Sequence, residues 1–200
     1  MLKSLPLCLC AAALALGACS QSASDNNAAA PAQPDKAAEA AGAQTIAAAL
    51  DQNGKFFQAA KAVGLDATLA GPGPYTVLVP DDAAFTKAQS DALKDPANPQ
   101  NRAEITRLLT YHILPGVILA DDISKAIDTG KGKAILATMG GQNLTATKDG
   151  GKIVLTGDGT SKATITGADT KASNGVIHSV DSVLVPPKAA PGDASDQTSG

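Results

Sequence analysis

Hydrophobic residues in the first half of the folded region, residues 44–113, recur mainly at helical spacing. The repeat is clearest over 56–63, and Gly64 is of the residue type that commonly ends a helix. One stretch departs from this period. Residues 75–79 are a continuous apolar and β-branched run closed by Pro80, which predicts a strand buried on both faces. The predicted elements of this half are a helix beginning at Thr45, a helix ending at Gly64, this strand, a helix from Asp81 or Asp82 to about Leu93, and a helix over 102–113.

After Pro115-Gly116 the pattern changes to short β-type segments separated by turn residues. A strand is expected over 117–119, and Asp121-Asp122 opens a brief helix. The remaining predicted strands are 134–139, 143–147, 153–156, 163–168, 175–178 and 182–185. Helices that are segregated from mostly adjacent strands indicate the α+β class rather than an alternating α/β fold.

The N-terminus combines a positive charge, a short apolar run and a group of small residues that ends at a cysteine. Lys3 precedes an apolar run that is short for a membrane span and that closes on Leu16-Gly17-Ala18-Cys19. Small residues fit a narrow peptidase site, and the thiol that follows them can carry a diacylglycerol. This segment resembles the lipobox of bacterial lipoproteins. An ordinary secretory signal with a chance cysteine is the alternative.

The lipobox resemblance sets the expected location and the outer boundaries of the chain. Residues 1–18 are expected to be a lipoprotein signal peptide, and Cys19 the lipidated residue. Ser20 after the cysteine favours the outer membrane over other sites in the cell envelope. Residues 19–43 and 188–200 are polar or Ala-rich, with too few large apolar residues to offset the cost of ordering. We therefore expect a disordered tether, one folded domain over 44–187 and a disordered tail; a helix across 34–44 is the alternative for the tether.

Composition excludes several classes of protein. The net charge is −3 and only 2% of residues are aromatic, so no basic patch with interleaved aromatics is available and no nucleic-acid partner is expected. The three cysteines all lie at or before Cys19, and the only histidines are His112 and His178. We expect no metal site and no cofactor, and both histidines are expected to be structural. The sequence contains no recognisable nucleophile–base set, so the protein is not expected to be an enzyme.

Three blocks, in order along the chain, resemble the signatures of fasciclin domains. They are TVLVPDDAAF at 76–85, LTYHILPG at 109–116 and NGVIHSVDSVLVP at 174–186. Asp81 stands where Thr is usual, and Ser179 where an aliphatic residue is usual. The resemblance covers about 44–187. It implies a single α+β domain built as a β-sandwich wedge with flanking helices, a fold that is widely used for adhesion.

The same resemblance supplies four candidate binding residues: Tyr111, His112, Asp122 and Ile123. In similar animal domains the Tyr-His pair is associated with receptor binding and an Asp-Ile pair with integrin recognition. The alternative is that Tyr111 and His112 are half-buried with their polar ends bonded to nearby loops, and that Asp121 and Asp122 cap a helix.

Three functions stay open at this point, because a fold does not fix a function. The expected one is a lipid-anchored envelope binding module that mediates adhesion or contact with a protein or matrix partner. A periplasmic structural or accessory lipoprotein is the second, and an enzyme of unrecognised type is the third. Residues 44–188 contain 14 basic and 14 acidic residues, so long-range steering of a charged partner is not expected.

Overall fold

The first described elements are three short helices that precede any strand. The structure is a computed structural model and describes residues 42–88, 90–96, 98–157 and 161–187. Helix α1 is Ile46–Ala49, α2 is Lys55–Val63 and α3 is Asp66–Ala70. The hydroxyl of Thr45 accepts a hydrogen bond from the Ala48 N–H at 3.4 Å, and Gly64 ends α2 in the left-handed conformation at φ +83°. Both helix limits agree with the sequence prediction.

The remaining elements follow in a mixed order. The helices are α4, Asp82–Lys87; α5, Arg102–Tyr111; and α6, Ala120–Thr129, with 3₁₀ turns at Asp91–Lys94 and Pro99–Asn101. The strands are β1, Tyr75–Pro80; β2, Ile113–Pro115; β3, Lys133–Ala137; β4, Asn143–Asp149; β5, Lys152–Gly157; β6, Lys162–Ala172; and β7, Gly175–Val180. No helix within the described ranges is long and apolar enough to cross a membrane.

The seven strands follow one another in the spatial order β2-β1-β7-β6-β5-β4-β3, with only β1 and β7 parallel. Strand β6 divides this array, because residues 162–164 pair with β5 while 165–172 pair with β7. Its register shifts twice between Ile165 and Thr170. Such irregularities bend a strand, and here they separate a layer of β2, β1 and β7 from a layer of β5, β4 and β3.

Two hydrophobic cores hold these layers together. The helical core lies between helices α1 to α5 and one face of the first layer, and the inter-sheet core lies between the two layers and includes α6. Strand β1 contributes Val77 to the helical core and Leu78 to the inter-sheet core, so its predicted burial on both faces is confirmed. The expected α+β fold, a sandwich wedge with flanking helices, is confirmed as well.

The helix predicted over 102–113 is too long at its end, and the strand predicted over 117–119 is misplaced. Helix α5 ends at Tyr111, and the strand is 113–115 rather than 117–119. Tertiary pairing decides this, because Ile113 lies opposite Val77 of β1. Residues 117–119 are instead held by two side chains at Ile118: the Thr76 hydroxyl accepts from its N–H at 2.9 Å, and the His178 ring contacts its carbonyl at 2.8 Å.

Two further boundaries differ from the prediction. Helix α4 ends at Lys87 rather than near Leu93. No strand forms over 182–185, because the main chain there bonds to side chains: the Leu184 N–H donates to the His112 ring at 3.0 Å and the Val185 N–H to the Ser161 hydroxyl at 3.0 Å.

Candidate functional site

Tyr111 lies at the end of α5 and its ring fills the inter-sheet core, where it is 0% exposed. Its hydroxyl donates to the main-chain oxygen of Asn143 at 3.2 Å and so ties α5 to the start of β4. A Cβ atom at Gly157 would lie 2.6 Å from that hydroxyl oxygen. The tyrosine therefore depends on a glycine in β5 for its space.

His112 follows directly and is also 0% exposed. Its Nδ1–H donates to the Leu108 carbonyl at 2.8 Å, while Nε2 accepts from the Leu184 N–H at 3.0 Å. Both ring nitrogens are therefore engaged in the neutral form, with the proton on Nδ1. Burial lowers the pKa of His112 to about 4, because the charged ring would lose its solvation, although the bond to Leu108 opposes this effect.

These two side chains are more deeply buried than the half-buried alternative assumed. Neither reaches a partner unless the domain rearranges, so any part they play in binding is exerted through the segments that they hold. Tyr111 holds β4, and His112 holds the closing segment 181–187. The pair thus joins three parts of the chain that are distant in sequence.

Ile123 of the Asp-Ile pair lies in the same inter-sheet core as Tyr111 and is 1% exposed. Asp122 is partly exposed in the first turn of α6, where a negative charge suits the helix dipole. Asp121 forms an ion pair with Lys125 at 2.5 Å, which raises the pKa of that lysine through their hydrogen bond. Neither aspartate occupies the cap position, so the alternative that they cap the helix was wrong in detail.

The cap of α6 comes instead from Asp169, a residue that sequence reasoning missed. Its carboxylate accepts from the Ala120 N–H at 2.9 Å, and its own backbone has φ +58°. Aspartate is one of the few non-glycine residues that tolerate this conformation, but nothing in the sequence places β6 beside α6. The contact joins positions 49 residues apart.

His178 of β7 belongs to the same arrangement. Its Nε2–H donates to the Ile118 carbonyl at 2.8 Å, and Nδ1 accepts from the Asp169 N–H at 3.2 Å. The Asp169 carboxylate stands 3.9 Å from Nδ1, but that nitrogen already accepts a hydrogen bond, so the ring is neutral and no ion pair forms. Burial lowers the pKa of His178, and the hydrogen bond to Ile118 and the nearby carboxylate oppose this only in part.

Asn174, between β6 and β7, was also missed as a structural centre. Its side-chain oxygen accepts from the Ile46 N–H at 2.7 Å, and its amide donates to the carbonyls of Leu69 and Gly71 at 2.8 and 2.7 Å. The sequence signalled only an Asn-Gly turn here. The third signature block therefore fastens the N-terminal helices to the sheet.

The described residues contain no cluster of three or more His, Cys, Asp or Glu side chains able to hold a metal ion. The two histidines flank Leu78, whose N–H donates to the His112 carbonyl and which pairs with His178. Their rings bond to different segments, Leu108 and Leu184 for one and Ile118 and Asp169 for the other. Cys19 lies outside the described residues.

A surface groove of about 430 Å³ lies apart from all four candidate residues. Its apolar side is formed by Phe85, Ala88 and Leu93, and Lys55 stands at its edge with its ammonium donating to the Thr86 hydroxyl at 2.7 Å. The volume falls within the range of small-molecule sites, and Phe85 contributes little to the groove's accessible surface because it is only 6% exposed.

The arrangement so far defines an α+β sandwich domain whose Tyr-His motif is internal and whose three signature blocks meet through hydrogen bonds. The family model of the fasciclin domain matches residues 51–186. The chain belongs to the fasciclin-domain family.

Relatives of this chain come from bacteria and animals. Protein sll1483 of Synechocystis is 33% identical over 142 residues, which cover 71% of this chain and 72% of that protein. Transforming growth factor-beta-induced protein ig-h3 of Sus scrofa is 32% identical over 66% of this chain, but the match spans only 17% of that protein.

A solved structure with the same fold is the FAS1 domain pair of the insect cell adhesion molecule fasciclin I. It superposes with a TM-score of 0.61 at 20% identity, covering 71% of this chain and 51% of the domain pair. At that identity the likeness concerns the fold alone.

Proposed function

We propose that this protein is a lipid-anchored binding module of the bacterial cell envelope, whose fasciclin domain mediates adhesion or contact with a protein or matrix partner. The observation that carries the proposal is the match of one whole fasciclin domain, since fasciclin domains occur in cell-adhesion proteins. The domain follows a lipobox-like segment that ends at Cys19. A thiol at this point can bear two acyl chains, which suffice for stable anchoring.

The geometry of the histidines favours a binding module over an enzyme. Fasciclin domains are generally non-enzymatic. In the described part of the chain, His112 and His178 use both ring nitrogens in hydrogen bonds to the main chain. Burial also lowers the pKa of both rings, so neither is placed to exchange protons with a substrate.

A periplasmic accessory lipoprotein without an adhesive role is the second candidate. Both candidates place the domain at a membrane and differ in whether it meets the outside of the cell. An outer-membrane position, favoured by Ser20, is compatible with either. The expected partner is a protein or a matrix component for the binding module and another envelope protein for the accessory lipoprotein.

The proposal is tested in intact cells that produce the wild-type protein, a Cys19→Ser variant or no protein. Proximity crosslinking in whole cells, followed by identification of the crosslinked partner, is compared with attachment of the same cells to a surface. We expect the wild type to crosslink to a defined envelope or matrix component and the Cys19→Ser variant to lose that adduct. If cells without the protein attach less well to the surface, the adhesive role is supported. If attachment is unchanged but the wild type still forms the crosslinked adduct, the accessory role is supported. No adduct and unchanged attachment would contradict the proposal.

A further inference from the structure

Strands β3, β4, β5 and the first part of β6 have one face that packs on the inter-sheet core. We call the opposite face, which points away from that core, the outer face. The register places Ile135, Thr145 and Thr156 in one row across it, and Thr147, Val154 and Thr164 in the next. Among the described helices none packs on this face, because the buried residues of α6 lie in the inter-sheet core. The result is a surface of small hydroxyl and aliphatic side chains, about 14 Å wide across four strands.

The charges on the outer face are not balanced. Lys133, Lys152 and Lys162 lie on the same side of the sheet as Ile135. On that side of these strands, the only acidic residue is Asp149. Asp181 stands at the β6 margin, where its carboxylate accepts from the Thr164 N–H at 2.8 Å. Because residues 44–188 carry equal numbers of basic and acidic residues, a surplus of lysine here is a local feature.

The outer face also carries the most exposed large apolar side chain of the described residues. Ile135, at the centre of β3, is 59% exposed, and Met139 just beyond the end of that strand is 43% exposed. Lysines beside exposed aliphatic side chains are the combination that suits the boundary between lipid headgroups and acyl chains. Aromatic side chains, which a sugar-binding face would use for stacking, are absent from this face.

We propose that the outer face docks on a lipid surface that carries anionic headgroups, with Ile135 entering the headgroup region and the three lysines contacting phosphate. The proposal rests on the proposed anchor at Cys19 for its location, because the 22 residues from 20 to 41 separate that cysteine from the described domain. A chain of 22 residues spans at most about 75 Å even when fully extended, so a lipid at Cys19 keeps the domain within that distance of the bilayer. Docking would then leave the helical layer facing away from the membrane.

The test uses the mature chain beginning at Ser20 without its lipid, so that the anchor cannot produce binding. The protein is sedimented with vesicles of phosphatidylcholine containing 30% phosphatidylglycerol and with vesicles of phosphatidylcholine alone. We expect binding to the anionic vesicles that weakens with salt. Each of Lys133→Gln, Lys152→Gln and Lys162→Gln is expected to reduce the binding constant about five-fold, and the three together about a hundred-fold. The matched control, Lys61→Gln on α2, is expected to leave binding unchanged.

A second measurement locates the contact, since the chain contains no tryptophan and one can be introduced as a unique reporter. Ile135→Trp is expected to shift its emission to the blue and to be quenched by brominated lipid on anionic vesicles, while Lys61→Trp is not. Equal behaviour of the two reporters, or equal binding of the lysine variants and wild type, would overturn the proposal. A blue shift that grows with protein concentration in the absence of vesicles would show a second copy as the occupant and would also overturn it. Absence of vesicle binding contradicts only this inference, because lipid attachment at Cys19 is measured separately.

Discussion

At the scale of single residues, the buried Tyr-His motif links separate segments of the chain through hydrogen bonds. His112 connects α5 to the closing segment through Leu108 and Leu184, and its ring meets Phe56 edge-on with centroids 6.2 Å apart. Its hydrogen bonds require the neutral ring. The motif therefore couples the packing of the domain to the protonation of one buried imidazole.

That coupling predicts how stability depends on pH. The pKa of His112 is about 4 in the folded state against 6.5 when unfolded, so the unfolded chain binds the proton more tightly. The free energy of unfolding therefore has its full value above pH 6.5. It is expected to fall by about 3 kcal/mol as the pH drops from 6.5 to about 4, because the unfolded chain takes up the proton first. Urea unfolding across this range is expected to show that loss in the wild type and a smaller one in His112→Gln. An NMR titration of the His112 ring with a midpoint near 6.5 would contradict this account.

Tyr111 and Gly157 give a second prediction at this scale. Gly157→Ala is expected to destabilise the domain by about 2–3 kcal/mol, because the added methyl would lie 2.6 Å from the tyrosine hydroxyl oxygen. Tyr111→Phe removes that atom and is expected to reduce the cost of Gly157→Ala by at least 1 kcal/mol. A double-mutant cycle by urea unfolding measures this coupling. If the effects of the two substitutions on the free energy of unfolding are additive, the Tyr111 hydroxyl is not what restricts the size of the side chain at position 157.

At the scale of elements, α6 is positioned from β6 rather than by its own first residues. The Asp169 carboxylate caps the helix at Ala120, and the Asp169 N–H is held by His178. Asp169→Ala is expected to cost about 1–2 kcal/mol, since it removes the cap and places alanine at φ +58°. Asp169→Asn, which keeps both an acceptor and a tolerance for that conformation, is expected to cost less. Equal losses in the two variants, measured by urea unfolding against Asp149→Ala as control, would exclude the capping role.

The elements also show what the sequence could predict. Local pattern found β1, α2 and the three strands of the second layer, because each has its own period and its own turn residues. It failed at 113–119 and 182–185, where pairing with β1 and bonds to His112 and Ser161 decide the conformation. Asp169 and Asn174 were missed for the same reason, as the groups that their side chains bind lie 49 to 128 residues away.

At the scale of the whole molecule, the helical core depends on few aromatic residues. Phe85 is 6% exposed and meets Phe56 edge-on with ring centroids 6.3 Å apart. Phe85→Ala is expected to cost about 3–5 kcal/mol through lost burial and an unfilled cavity. Urea unfolding of the purified protein measures this, and a loss below about 1 kcal/mol would mean that the core closes without Phe85.

The central claim is that a lipid on Cys19 anchors this fasciclin domain to a membrane. Labelling of cells with radioactive palmitate tests this claim most directly. Cys10→Ser is the matched control, because Cys10 lies within the expected signal peptide. We predict that the wild type and Cys10→Ser take up label and enter the detergent phase, while Cys19→Ser takes up none. Equal labelling of Cys19→Ser and wild type, or a wild-type protein found wholly in the aqueous phase, would contradict the account.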